Sequence, residues 1–511
     1  MLIKRLALAA AFIACAATAA ATPALAPTWT DAQMDTVLSR TQQLTLAPDV
    51  SALSAGEQAA VRELLAAGER VHRIYMQQRH PEALAAADYL AAHPALTKAR
   101  DLFWMNIGPI ATTLDNTREP FLAVTPETPA RNMYPPGTTR AIMDAFLTAH
   151  PERRADILDD RTVVWAATAQ NLNRALDALR RHPALETLHP GIRAKLRGEQ
   201  TYLAVPYSIA YADDIFFIAD RLNAAADDVA AGDPAFARYL RLRARDLMAD
   251  DYEGGDAAWV TGHFSGNLNA QIGAYETYDD ALYGVKTFFS LSVLVRDVPR
   301  SNELKSALED IQLVENALPY DNHREVRSDI PVGVYNIIAD FGQARGTNTA
   351  SILPNEAYLA RQYGRTILIR GNILLNDDIF QETERAFAAA VVDSQAHDLT
   401  PEGGFYRTLW HEIGHYCGVD ITADGRDLDS ALQDSADLYE EMKADLVSLT
   451  SARILHDRGK LSDEQLRAIY ASGIRRVLQK NKPRRDQPYQ TMQLMQWNWF
   501  MDKGALHFEN G

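Results

Sequence analysis

Between residues 31 and about 249, apolar positions recur mostly at helical spacing. Ala, Leu, Arg and Glu dominate this stretch. Pro81, Pro94, Pro151, Pro183, Pro190, Gly232 and Pro234 punctuate it, and the pattern predicts a succession of amphipathic helices. Ser54-Ala55-Gly56-Glu57, ahead of one such run, reads as a capping box in which the Ser and Glu side chains satisfy first-turn N–H groups. Residues 107–136, rich in Pro, Thr and Asn, predict a loop-like interruption. No repeat of fixed period runs through the chain. β-Branched residues cluster between 331 and 375 and predict strands over 332–341 and 366–375. Helical spacing returns over 436–455. The predicted class is α+β, mainly α with a smaller β-containing lobe.

The stretch that carries chemistry is WHEIGHYCG at residues 410–418. A helix turns about 100° per residue, so His415 stands about 40° from His411 and one turn along. Both imidazoles can face one metal ion, with Glu412 offset to the side as a general base. Zn²⁺ is the usual occupant of this H-E-x-x-H arrangement. Catalytic zinc takes three protein ligands and keeps a fourth position open. Glu441, in YEEMKAD at residues 439–445, is the choice for the third ligand, from a second helix. Glu440 and Asp445 remain beside it as carboxylates suited to receive the second ring N–H of a ligating histidine. By itself EExxxD is an ordinary solvated helix face; its pairing with HEIGH gives it the metal reading.

HEIGH followed by YEEMKAD resembles the dipeptidyl peptidase III family of zinc peptidases, in which a second helix reads EE-C-R-A-E. The longer runs FYRTLWHEIGH, ADGRDLDSAL and YEEMKADLVSL are similar to the family's bacterial branch. The resemblance implies His411, His415 and Glu441 as ligands of one Zn²⁺ per chain and Glu412 as catalytic base. It also implies two lobes flanking a cleft, with zinc on the helical lobe. On this reading one two-lobed unit spans 23–511, with a first lobe near 30–285 and 326–380. The zinc-binding helical lobe then lies near 286–325 and 381–511. Known members have a six-residue HExxGH, whose histidines stand about 140° apart and need a local bulge to converge. The five-residue spacing here converges without one.

The same resemblance covers QIGAYETYDD at 271–280 and the Pro354-Asn355 pair. In the family the first lines the cleft opposite the metal and the second contacts peptide backbone. Tyr275, Glu276, Tyr278 and Asn355 are therefore expected substrate contacts. A carboxylate suits a free α-amino group, and a phenol suits a developing oxyanion. Family members also supply a histidine from a later helix. The corresponding run, 489–504, holds Tyr489, Gln490 and Gln493 but no His.

Composition narrows the alternatives. Of the 511 residues, 47% are hydrophobic and 23% charged, ample for a core and ordinary for a globular protein. Residues 1–22 place Lys4 and Arg5 before an Ala-rich apolar run and small residues, which reads as a signal peptide for export to a bacterial periplasm. Cys15 partly fits a lipoprotein box, a less favoured reading because Phe12 is a poor first residue for one. Removing this segment takes the net charge from −16 to −18, which speaks against nucleic-acid binding. No later apolar run is long enough to span a bilayer. Cys417, the other cysteine, reads as a packing residue, because a thiolate ligand would close the open metal position. The Gly-rich 254–266 lacks both phosphate-loop patterns, and neither G-x-S-x-G nor a Nudix signature is present. The expected function is zinc-dependent release of dipeptides from short, N-terminally free peptides. The alternatives are a zinc hydrolase of a non-peptide amide and a non-catalytic periplasmic peptide-binding protein.

Overall fold

The computed structural model describes residues 25–199, 201–326, 331–345, 349–353, 359, 362–364, 366–419, 421–426, 428–432, 435–479 and 488–509. The signal-like segment, Cys15 and Asn355 lie outside these residues. The chain divides into two compact units, Met1–Thr41 with Glu82–Glu127, and Gln42–Pro81 with Thr128–Gly511.

In the first unit, Thr30 caps the helix Asp31–Leu38 with a reciprocal Thr30–Gln33 box. Met34 and Val37 pack with Leu90, Leu102, Phe121 and Leu122 into a small core. The hairpin of β1 (Ile110–Thr112) and β2 (Arg118–Pro120) interrupts the predicted loop region.

The second unit holds the predicted helices and the sheet. Ser54 and Glu57 form the expected capping box at the start of the helix Ala55–Arg79. β3 (Thr162–Ala166) pairs antiparallel with β4 (Tyr202–Pro206), a short two-stranded sheet within the region predicted as helical. The main sheet contains β5 (Leu268–Glu276), β6 (Phe288–Arg296), β7 (Val332–Gly342), β8 (Ala350–Leu353) and β9 (Thr366–Arg370), in the order β5-β6-β7-β9-β8. β7 and β9 run parallel, and every other neighbouring pair is antiparallel. The predicted strand over 366–375 stops at Arg370, where a helical turn, Gly371–Leu374, takes over. β5 and β6 escaped the strand prediction because both faces are buried, which removes the alternation that marks a half-exposed strand. Gly68 brings the helix Ala55–Arg79 directly over the sheet, since a Cβ there would lie 2.2 Å from the Phe341 ring.

Four helices complete the unit: Pro401–Gly414, Ala436–Asp457, Asp463–Val477 and Pro488–Asp502. One core joins the sheet to the first two of these helices, with Val332, Val334, Ile367 and Ile369 packed alongside Phe405, Leu409, Trp410, Ile413 and Val447. The α+β class predicted from the sequence is the class observed. No described helix is long and apolar enough to cross a membrane.

Candidate metal centre

The HEIGH helix, Pro401–Gly414, begins with Pro401 at its first position, where no N–H is needed, and Thr400 caps it by accepting from Gly403 N at 3.0 Å. Phe405, Leu409, Trp410 and Ile413 recur at helical spacing and are buried, which fixes the rotation of the helix. His415 caps the end with helical dihedrals, φ −65° and ψ −21°, so the i,i+4 register survives through it. The chain after it is pinned from below: fully buried Glu315 accepts from Gly418 N at 2.9 Å, and Arg324 Nε donates to the Tyr416 carbonyl at 3.0 Å. Cys417 is buried in the apolar core, and burial pushes its thiol up to about 12. It is a packing residue.

The second helix, Ala436–Asp457, packs closely against the first at Gly414. A Cβ on Gly414 would sit 3.0 Å from both the Cα and the carbonyl oxygen of Ala444. This approach brings the donor atoms of His411, His415 and Glu441 within 4.8 Å of one another. The two rings stand nearly perpendicular, 5.0 Å apart.

Carboxylates fix the direction of both imidazoles. His411 Nδ1 lies 2.8 Å from Asp445 Oδ1, and His415 Nδ1 lies 2.9 Å from Glu440 Oε1. An ionised carboxylate only accepts, so each Nδ1 carries a proton and Nε2 is the ring nitrogen left for a metal. Glu441 Oε2 is buried, accepts no hydrogen bond, and lies 3.2 Å from His411 Nε2. Two imidazole nitrogens and a carboxylate oxygen thus converge on one point, where a cation would replace the proton that His411 Nε2 otherwise shares with Glu441. This set, two imidazoles and a carboxylate, fits Zn²⁺.

Electrostatics favour positive charge there. Burial opposes a charged His411, yet contacts with Asp445 and Glu441 outweigh it and raise the imidazole to about 9. Burial likewise works against ionised Asp445, but Arg476, His411 and Arg407 hold its carboxyl well below the usual range. Arg407 Nη1 and Arg476 Nε reach it at 3.0 and 2.8 Å. At Glu440, burial is outweighed by His415 and Lys443, which bring it down to about 2. Glu412 is buried beside His411, and no hydrogen bond holds its carboxylate among the described residues.

Arg407, Arg476 and Lys443 were missed by sequence reasoning. The available signal was Arg407, one turn before His411 on an otherwise apolar stretch. Tyr489 donates to Glu441 Oε1 at 3.2 Å; Tyr278 is exposed. Glu276 lies half-buried at the end of β5 beside a bulge. The expectation for Tyr275 needs correcting. Its ring is buried against Arg243 and its hydroxyl donates to Asp256 Oδ1 at 2.6 Å, so its polar atom is taken up inside the core.

The sequence matches no protein-family model. It is 24% identical over 512 residues to Nudix hydrolase 3 of Arabidopsis thaliana, covering 92% of this chain and 64% of that protein. The chain thus spans about 64% of that relative's length. The structure of DPP III from Caldithrix abyssi superposes with a TM-score of 0.74 at 24% identity, covering 91% of this chain and 83% of the other. Dipeptidyl-peptidase III from Corallococcus sp. strain EGB gives a TM-score of 0.74 at 23% identity, covering 93% and 84%. With four helices and a mixed sheet arranged around a His-His-Glu cluster, this chain has the fold of the dipeptidyl peptidase III structures.

Proposed function

We propose that this chain is a zinc-dependent peptidase of the dipeptidyl peptidase III family, exported to a bacterial periplasm, that releases dipeptides from short peptides with a free N-terminus. The carrying observation is the convergence of His411 Nε2, His415 and Glu441 Oε2 beside an unbonded Glu412, within a dipeptidyl peptidase III fold. His411, His415 and Glu441 hold one zinc ion. Asp445 and Glu440 fix the ring orientations by taking the Nδ1 protons as hydrogen bonds. A zinc ion so held supplies Lewis acidity to the scissile carbonyl and lowers the pKa of a water.

Glu412 takes the proton of the attacking water as the C–O bond forms. It then delivers that proton to the departing amine as the C–N bond breaks, so the carboxylate is regenerated. Tyr278 donates to the developing oxyanion through its hydroxyl. Glu276 receives the peptide's α-ammonium group, and Asn355 contacts peptide backbone.

The test is release of a chromophore from dipeptidyl amides with a free α-amino group, with zinc content measured on the same samples. Glu412→Gln should keep one zinc per chain and lose roughly 10²–10⁴-fold in kcat. Full activity in that variant removes Glu412 from the reaction. Zinc bound at one per chain with no peptide cut would replace peptidase by a binding role or a non-peptide amide substrate.

A further inference from the structure

The two carboxylate oxygens of Glu441 have different surroundings. Oε1 accepts the Tyr489 hydroxyl at 3.2 Å. Oε2 is buried, accepts no hydrogen bond and faces His411 Nε2 at 3.2 Å. Tyr489 opens the helix Pro488–Asp502 and is held from several sides. Its ring lies 5.5 Å from the guanidinium carbon of Arg476, which in turn binds Asp445 at 2.8 Å.

A carboxylate beside a cation can bind through one oxygen or through both. Two-oxygen binding would fill the position that a reactive zinc site keeps open. A fixed hydroxyl on Oε1 opposes it, because swinging that oxygen toward the metal breaks the Tyr489 bond. We infer that Tyr489 is a positioning residue that holds Glu441 as a one-oxygen ligand, reserving Oε2 for the metal and Oε1 for itself. The inference rests on the metal centre proposed above. It assigns Tyr489 no contact with metal or substrate; the residue acts through Glu441.

The test is zinc affinity, by competition with a chromogenic chelator, and the visible spectrum of the Co²⁺-substituted protein. Wild type should bind one zinc. Tyr489→Phe should still bind one, roughly 10–100-fold more weakly. Its Co²⁺ bands should lose intensity as the freed Oε1 raises the coordination number, and kcat should fall while KM holds. Tyr489→Gln, which keeps a donor, should bind zinc more tightly than Tyr489→Phe. Tyr489→Gln and Tyr489→Leu form a second pair, with and without a donor, should the Phe protein not fold. Unchanged zinc affinity and Co²⁺ spectrum in Tyr489→Phe overturn the inference and leave the metal centre standing. Equal losses with and without a donor also overturn it, assigning the effect to the ring. A wild type that binds no zinc overturns both readings.

Discussion

Two clusters of charge are buried in the larger unit, and they differ in what they leave unanswered. Near the sheet, Arg243 is enclosed by Asp246, Asp256 and the rings of Tyr239, Tyr252 and Tyr275. Between the metal-type helices, Asp445 is enclosed by Arg407, Arg476 and His411. The side-chain atoms without hydrogen bonds in the first cluster are Arg243 Nε and Nη1 and Asp256 Oδ2, donors and an acceptor together. Nη1 lies 3.6 Å from Asp246 Oδ2, so opposite charges answer each other inside the cluster. In the second, the atom without a hydrogen bond among the described residues is an acceptor, Glu441 Oε2, which faces the ring nitrogens of His411 and His415. Acceptors facing acceptors repel unless a proton or a cation joins them. A buried ion cluster becomes a binding site when its leftover atoms share one sign.

That difference can be broken experimentally. The largest expected effect is on stability. Arg243→Met should destabilise by about 3–5 kcal/mol, because Asp256 and Asp246 are left as uncompensated buried acids. Urea unfolding measures it, and the folded fraction should retain its zinc. Loss of zinc from folded Arg243→Met protein would show that the two clusters are coupled.

Asp445→Asn should act in the opposite way. An amide can present its N–H to His411 Nδ1 and permit the wrong tautomer, so zinc affinity should fall about 10–100-fold. Competition with a chelator reads this directly, and an unchanged affinity would remove Asp445 from the support of His411.

The smallest effect is a pH slope. Burial raises Asp246 to about 6, partly offset by Arg243 and the Gly255 N–H. Because the folded pKa exceeds the unfolded one, the native state binds the proton more tightly. The contribution is full below about pH 4 and is lost as pH rises through about 6, on the order of 2 kcal/mol. Asp246→Asn should flatten unfolding free energy across that window. A slope unchanged by the substitution would place its origin elsewhere.

Legibility followed range along the chain. The Ser54–Glu57 capping box and the helical register of His411 and His415 depend on residues a turn apart, and both were readable. The strands β5 and β6 were not, because full burial on both faces erased their period. Tyr275 was misjudged for a related reason: which face of β5 is open depends on what packs there, here Arg243 and Asp256. The three cations around the carboxylates come from separate positions, 407, 443 and 476; Arg407 left a local signal one turn before His411, but which acid each cation meets is set by packing.

What the sequence alone determined is the donor chemistry: two imidazoles one helical turn apart, a carboxylate between them, and three acids on a second helical segment. The helical period of about 3.6 residues settles that much without any tertiary contact. The pairing of each acid was decided by the fold. Asp445 meets His411, Glu440 meets His415, and Glu441 turns one oxygen to Tyr489 and the other inward. Those partners are set by how closely Gly414 lets two helices approach and by where a third helix delivers Tyr489. Hydrogen bonds hold over about 3 Å, so they depend on packing to a precision that spacing along a chain does not carry.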